Sequence, residues 1–174
     1  GQPQEERLVL RALAEDRHAA NPDQVHDLLR RLGDLSLDEA GARTDGGRPE
    51  AALHLAGLSG TRRAVRVRIA GYEGWIAMED VARYRDGAGV QAPPGVPAAF
   101  LAPAAHALDG LLARWARTHG PFLTPDPARR WGLPAGVVED ALDRLVVAGT
   151  LLPGEFRPGG AEPEYCDPEV LPLL

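Results

Sequence analysis

The 174-residue chain is long enough for one or two domains, and its 44% hydrophobic content supplies cores built mainly from Leu, Val and Ala, since only 5% of it is aromatic. All 19 basic residues other than histidine are arginine, which excludes a G-x-x-x-x-G-K-[ST] phosphate loop and Schiff-base lysine catalysis. A net charge of −6 argues against a uniformly basic nucleic-acid binder, although a local arginine stripe remains compatible with it, because each charge acts over only about 8 Å at physiological salt.

In chain order, "EERLVLRALAEDRHAA" places Leu8, Val9, Ala12 and Leu13 at helical spacing and predicts a leading helix within residues 1–20. "NPDQVHDLLRRLGDL" predicts a helix capped by Asn21, with Pro22 at its first position, Val25, Leu28, Leu29 and Leu32 as its buried stripe, and Gly33 as its stop. Ser36 with Glu39 three residues on is a capping-box pattern opening the next helix, and "RPEAALHLAGL" makes a third after the "TDGG" turn. In "RRAVRVRIAGYEGWIAMED", Val65, Val67 and Ile69 alternate with Arg66 and Arg68, and "GYEG" turns the chain into a second strand around Trp75 to Met78. "EDVARYRDGAG" returns to helix. Three helices followed by a hairpin is the order of a winged helix-turn-helix unit, read over residues 21–90.

The Pro/Gly-rich stretch 91–103 reads as a linker. Beyond it the same order recurs over 104–174. A helix carries Leu108, Leu111, Leu112 and Trp115; a second starts at Thr124–Pro125 and stops at Gly132; a third buries Val138, Ala141, Leu142 and Leu145; two strand-like pieces flank a Pro-Gly tip. "GDLSLDEAGAR" aligns with "GPFLTPDPARRW", as a duplication would, and "PEVLPLL" reads as the start of a truncated last helix. The expected fold is therefore mainly α with small β-hairpins: tandem winged helix-turn-helix domains.

His119, in "RTHGPFLTP", is the obvious candidate for a general base, but no serine or cysteine nucleophile sits in a strand-to-helix elbow. It reads instead as the exit of a helix, with Phe122 and Leu123 as a short strand. The five histidines show no metal-ligand spacing, and lone Cys166 can form neither an internal disulfide nor a cysteine-rich zinc site. No catalytic or metal residue is expected. Glu162, Glu164 and Asp167 read as a solvated acidic strand edge. With no apolar run of about 18 residues and no signal-peptide pattern, a cytoplasmic, reducing setting without membrane contact is expected.

Arginines carry the functional signal. Strand alternation sends Arg66 and Arg68 outward, opposite Val65, Val67 and Ile69, and an arginine row on a wing suits DNA phosphates or the minor groove. Arg62, Arg63, Arg66 and Arg68 of the first unit and Arg129, Arg130 and Arg157 of the second are the DNA-binding candidates. The third helix of the second unit sets Glu139, Asp140 and Asp143 against only Arg144, which suits packing on protein better than reading bases.

"RAVRVRIAGYEGWIAMEDVARYRDGAGV", "GVPAAFL", "RWARTHGPFLTPDPARRWGL" and "LPGEFRPGGAEPEYCDPEVL" resemble the Lhr-type (large helicase-related) bacterial ATP-dependent DNA helicases over nearly the whole chain. The resemblance implies a segment from the C-terminal region that follows the helicase core. It also implies that ATP and Mg are cofactors of that core and not of these residues: the family's D-E-x-H box has no match here, since "LDEAG" shares two letters only. The expected function is a non-catalytic DNA-binding and assembly module of a DNA repair helicase, with DNA, other domains of the parent helicase and self-association as its contacts. The alternative is a structural domain-packing or oligomerisation module without direct DNA contact.

Overall fold

The structure, a computed structural model, describes residues 18–156, 159–160 and 162–173. The leading helix expected before position 18 lies outside the described residues, while Ala19 is extended and bridges Thr44. The chain divides into two compact units, one spanning Arg17–Ala107 and the other containing Leu108–Leu174.

In the first unit, α1 (Pro22–Leu32) begins as its sequence dictates: Asn21 Oδ1 accepts from Gln24 N at 2.9 Å, and Gly33 ends the helix at φ 85°. The capping box opens α2 (Leu37–Ala42), with Glu39 N donating to Ser36 Oγ at 3.1 Å and Ser36 N to Glu39 Oε1 at 2.8 Å. α3 (Gly47–Gly60) crosses α2 so closely that a Cβ on Gly41 would lie 2.8 Å from Arg48 Cα. Only glycine fits there. Val25, Leu28, Leu29, Leu35, Leu55 and Leu58 fill the core between these helices and the hairpin, with Trp75 packed against it.

Strands β1 (Ala64–Ile69) and β2 (Tyr72–Ala77) pair antiparallel from Ala64↔Ala77 to Ile69↔Tyr72. Ala70 and Gly71, at φ 48° and 87°, make the two-residue turn between them, of the kind whose twist matches a hairpin. Leu35, between α1 and α2, exchanges two backbone hydrogen bonds with Trp75, at 2.7 and 3.0 Å, and so acts as a one-residue first strand beside β2. A buried polar lock fixes the hairpin: the Asp34 carboxylate accepts from the hydroxyls of Tyr72 and of Tyr84, the latter at 2.7 Å. Tyr84 belongs to α4 (Val81–Ala88), which Gly89 terminates at φ 68°.

The second unit runs α5 (Ala107–Thr118), β3 (Phe122–Leu123), α6 (Pro125–Trp131), α7 (Ala135–Val147), β4 (Leu152–Gly154) and β5 (Glu164–Cys166). Its sheet has the order β3-β5-β4, so the first strand again lies beside the last. Leu111, Leu112, Phe122, Trp131, Val138, Leu142, Leu151 and Cys166 are buried. After Asp167 the described residues make a turn and then a short 3-10 helix, Leu171–Leu173. The architecture is thus mixed, several helices with small antiparallel sheets, of winged-helix type.

Two local expectations need correction. Thr124 stands at the N-cap position of α6, but its side chain makes no capping bond; Asp126 instead accepts from Leu123 N at 3.0 Å. Glu164 and Asp167 do not form a solvated edge: they are 2% and 8% exposed. Glu164 Oε1 accepts from Phe156 N and Asp167 Oδ1 from Glu169 N, so both carboxylates tie down backbone around β5. A polar stretch on a short strand hid this inward face.

Candidate nucleic-acid interface

The hairpin presents its arginines as the period-two pattern requires. Val67 and Ile69 are buried, Val65 is half-buried, and Arg66 and Arg68 are exposed on the other face. Cross-strand, Arg66 faces Trp75 and Arg68 faces Glu73. Arg66 Nη1 lies 4.0 Å from Glu73 Oε2 with both side chains about 60% exposed (62% and 59%), so the pair is weakly held and open to exchange. Arg68 makes no ion pair among the described residues.

A second segment shapes this face. Gly89 turns the chain out of α4, and Val90 is buried and donates its N–H to Tyr84 O at 3.2 Å. Gln91, Ala92, Pro93 and Pro94 are thereby laid along the arginine side of the hairpin. Together with Arg66, Val67, Arg68 and Glu73 they line a groove of about 340 Å³. The Pro/Gly-rich composition of this stretch reads as a linker; the stretch is also one wall of the candidate site. The contact is tertiary, and no local pattern announces it.

The remaining arginine candidates have surroundings of their own. Arg62 is exposed at the turn into β1, with φ 59°. Arg63 is drawn back to α1, bonding Asp23 at 2.5 Å and His26 Nδ1 at 3.3 Å. His26 in turn reaches Glu79 at 2.8 Å, which leaves Arg63 inside a structural network rather than on the wing face. In the second unit, Arg129 is exposed and lies 3.4 Å from Asp126, and Arg130 is half-buried. Arg157 lies outside the described residues.

His119 is a packing residue. Its ring stacks on Trp115 at 3.7 Å between centroids and 5° between planes, and Nδ1 lies 2.8 Å from Trp115 O. A Trp115–Trp131 edge contact at 5.6 Å continues the aromatic cluster. Phe122 and Leu123 form the short strand expected of them.

The second unit has an acid-lined groove instead. Arg144, the sole arginine of α7, is committed to Asp109 of α5 through two bonds of 2.8 and 3.3 Å, which raise its pKa above the usual value. Glu139 and Asp143 then line a groove of about 470 Å³ with Thr124, Glu162 and Tyr165. Burial, then the charges of Asp143 and Glu139, push the Tyr165 phenol up. The lining of this groove holds three carboxylates and no arginine. Among the described residues no group of three or more His, Cys, Asp or Glu side chains is arranged to hold a metal ion, and no helix is long and apolar enough to cross a membrane.

A family model described as "Large helicase-related protein, winged-helix domain" matches residues 4–103, which contain the hairpin and both walls of its groove. The chain belongs to the large helicase-related protein family. It is 41% identical over 165 residues to the Lhr helicase/probable uracil glycosylase of Mycolicibacterium smegmatis, covering 95% of this chain and 11% of that protein. It is 31% identical over 143 residues to the Lhr helicase/uracil glycosylase of Escherichia coli, covering 82% and 9%. The Lhr-family chain therefore spans about a tenth of the length of these curated relatives. Among solved structures, the DIP2311 protein of Corynebacterium diphtheriae aligns over 84% of this chain and 26% of its own, at 17% identity and a TM-score of 0.39. The winged-helix segment of this Lhr-family chain carries no ATPase motif.

Proposed function

We propose that this chain is a non-catalytic DNA-binding and assembly module of an Lhr-type DNA repair helicase, working in the cytoplasm and contacting the DNA backbone through the wing of its first unit. The observation that carries this reading is the exposed Arg66–Arg68 row on β1, opposed only by Glu73 in an otherwise acidic protein. Arginine forks match phosphate geometry, and such contacts position a protein on DNA without reading sequence.

The two units are read as tandem winged helices, the second repeating the first. Leu35 corresponds to β3, α2 and α3 to α6 and α7, and the β1–β2 hairpin to β4–β5. In this reading α7 occupies the place of a major-groove helix but bears acids and a committed arginine, so the second unit serves packing on other domains of the parent or self-association. Helicase and glycosylase chemistry, with the ATP and Mg of the helicase core, belongs to parts of the parent outside this chain. Arg62, Arg129, Arg130 and Arg157 are secondary candidates for phosphate contact, and Arg63 is a support of the wing.

The competing reading, an assembly module without DNA contact, draws on the acidic face of α7. Affinity for short DNA at low salt separates the two. The charge reversal Arg66→Glu with Arg68→Glu weakens binding at least tenfold if the wing makes the contact, whereas Arg144→Glu leaves it unchanged. A chain that binds no DNA, or a double reversal without effect, supports the assembly reading.

A further inference from the structure

We propose that the groove between β1 and the Gln91–Pro94 segment seats a single sugar–phosphate backbone, gripped on two sides rather than merely touched by a wing. This deepens the wing reading and rests on it.

One wall supplies charge. Arg66 and Arg68 are two positions apart on the same strand face, and Glu73 is the sole carboxylate lining the groove, so its lining has a net charge of about +1 and complements an anion. Pro93 and Pro94 form the other wall. They have no N–H to offer, so they present ring faces and carbonyls, suited to the apolar face of a deoxyribose and not to phosphate. The Gln91 amide adds one uncharged donor at the start of that wall. The wall is held in place: Gly89 and buried Val90 anchor it to α4, and the Asp34–Tyr72–Tyr84 bonds fix the hairpin opposite. A groove of about 340 Å³ is at the low end of the usual range for small-ligand sites, which matches one backbone unit and not the width of a duplex. The backbone could be that of a single strand or of one strand in a duplex.

Glu73 makes the assignment testable by a gain. Its exposed, 4.0 Å pairing with Arg66 contributes little to the fold, yet it competes with a phosphate for that guanidinium. Three single variants of the full chain are compared alongside the Arg66→Glu, Arg68→Glu double variant, using fluorescence anisotropy on a labelled 12-nucleotide single strand and on the duplex of the same sequence. Glu73→Gln is expected to tighten binding about threefold and Gln91→Glu to weaken it about threefold, the scale of one exposed charge contact. Ala99→Glu, an exposed change of equal charge that lies outside the groove lining, is expected to have little effect. Shifts confined to the single-stranded probe identify an isolated strand as the occupant; equal shifts on both probes identify one strand of a duplex.

The inference is overturned if Glu73→Gln leaves affinity unchanged and Gln91→Glu behaves like Ala99→Glu while the Arg66→Glu, Arg68→Glu double variant still loses binding. That pattern keeps the wing and removes the groove. If the double variant also binds normally, the wing reading itself has failed.

Discussion

Single residues set both the strain and the rigidity of the wing. Ala70 holds φ 48° at the tip of the hairpin, a conformation that costs a residue with a Cβ about 1–2 kcal/mol. Ala70→Gly or Ala70→Asn is therefore expected to raise the thermal midpoint, by up to about 1 kcal/mol in stability, without altering DNA affinity; calorimetry checks the first and a titration the second. Gly41 is the opposite case. A methyl there meets the Arg48 backbone at 2.8 Å, so Gly41→Ala is expected to cost about 1–3 kcal/mol, read from chemical denaturation. Cys166 adds a pH signature. Burial, then the charges of Asp167 and Glu164, lifts its thiol to about 11 from an ordinary value of 9.0. The folded state therefore holds its proton longer than the unfolded chain. Its contribution to stability is full below pH 9.0 and is lost as the pH climbs toward 11. Alkylation of the thiol at about pH 8 should accordingly be slow in the native protein and fast once it unfolds; equal rates would contradict the burial of this side chain.

At the scale of elements, what could be read from the sequence was local, and what could not was tertiary. Asn21, the Ser36–Glu39 box, Gly33 and Gly132 mark helix ends because caps act within a few residues. Alternation from Val65 to Ile69 places the arginine face because strand periodicity is a property of the backbone. Arg63 shows the limit: it shares that basic run, yet Asp23 and His26, 40 and 37 residues away, take it out of the row. Gln91–Pro94 could not be recognised as a wall, nor Glu164 as an inward-facing carboxylate, for the same reason. Arg63→Gln should consequently lower stability by about 0.2–1 kcal/mol, as loss of an exposed ion pair does, and leave the salt dependence of DNA binding unaltered. A reduced salt slope for Arg63→Gln would return that residue to the interface.

For the molecule as a whole, charge is distributed unevenly between two units whose element orders run in parallel. The first unit gathers Arg66 and Arg68 beside a groove, while the second spends Arg144 on Asp109 and exposes Glu139 and Asp143. The contrast between an arginine-lined groove and an acid-lined one suits a division of labour between nucleic acid and protein. The central claim is that the hairpin arginines touch phosphates, and the dependence of affinity on salt measures it directly. For the unaltered chain, log affinity should fall linearly with log salt concentration. The double reversal Arg66→Glu, Arg68→Glu should flatten that line by roughly 0.7 to 0.9 for each phosphate the protein no longer neutralises. An unchanged slope in the double variant would contradict the account.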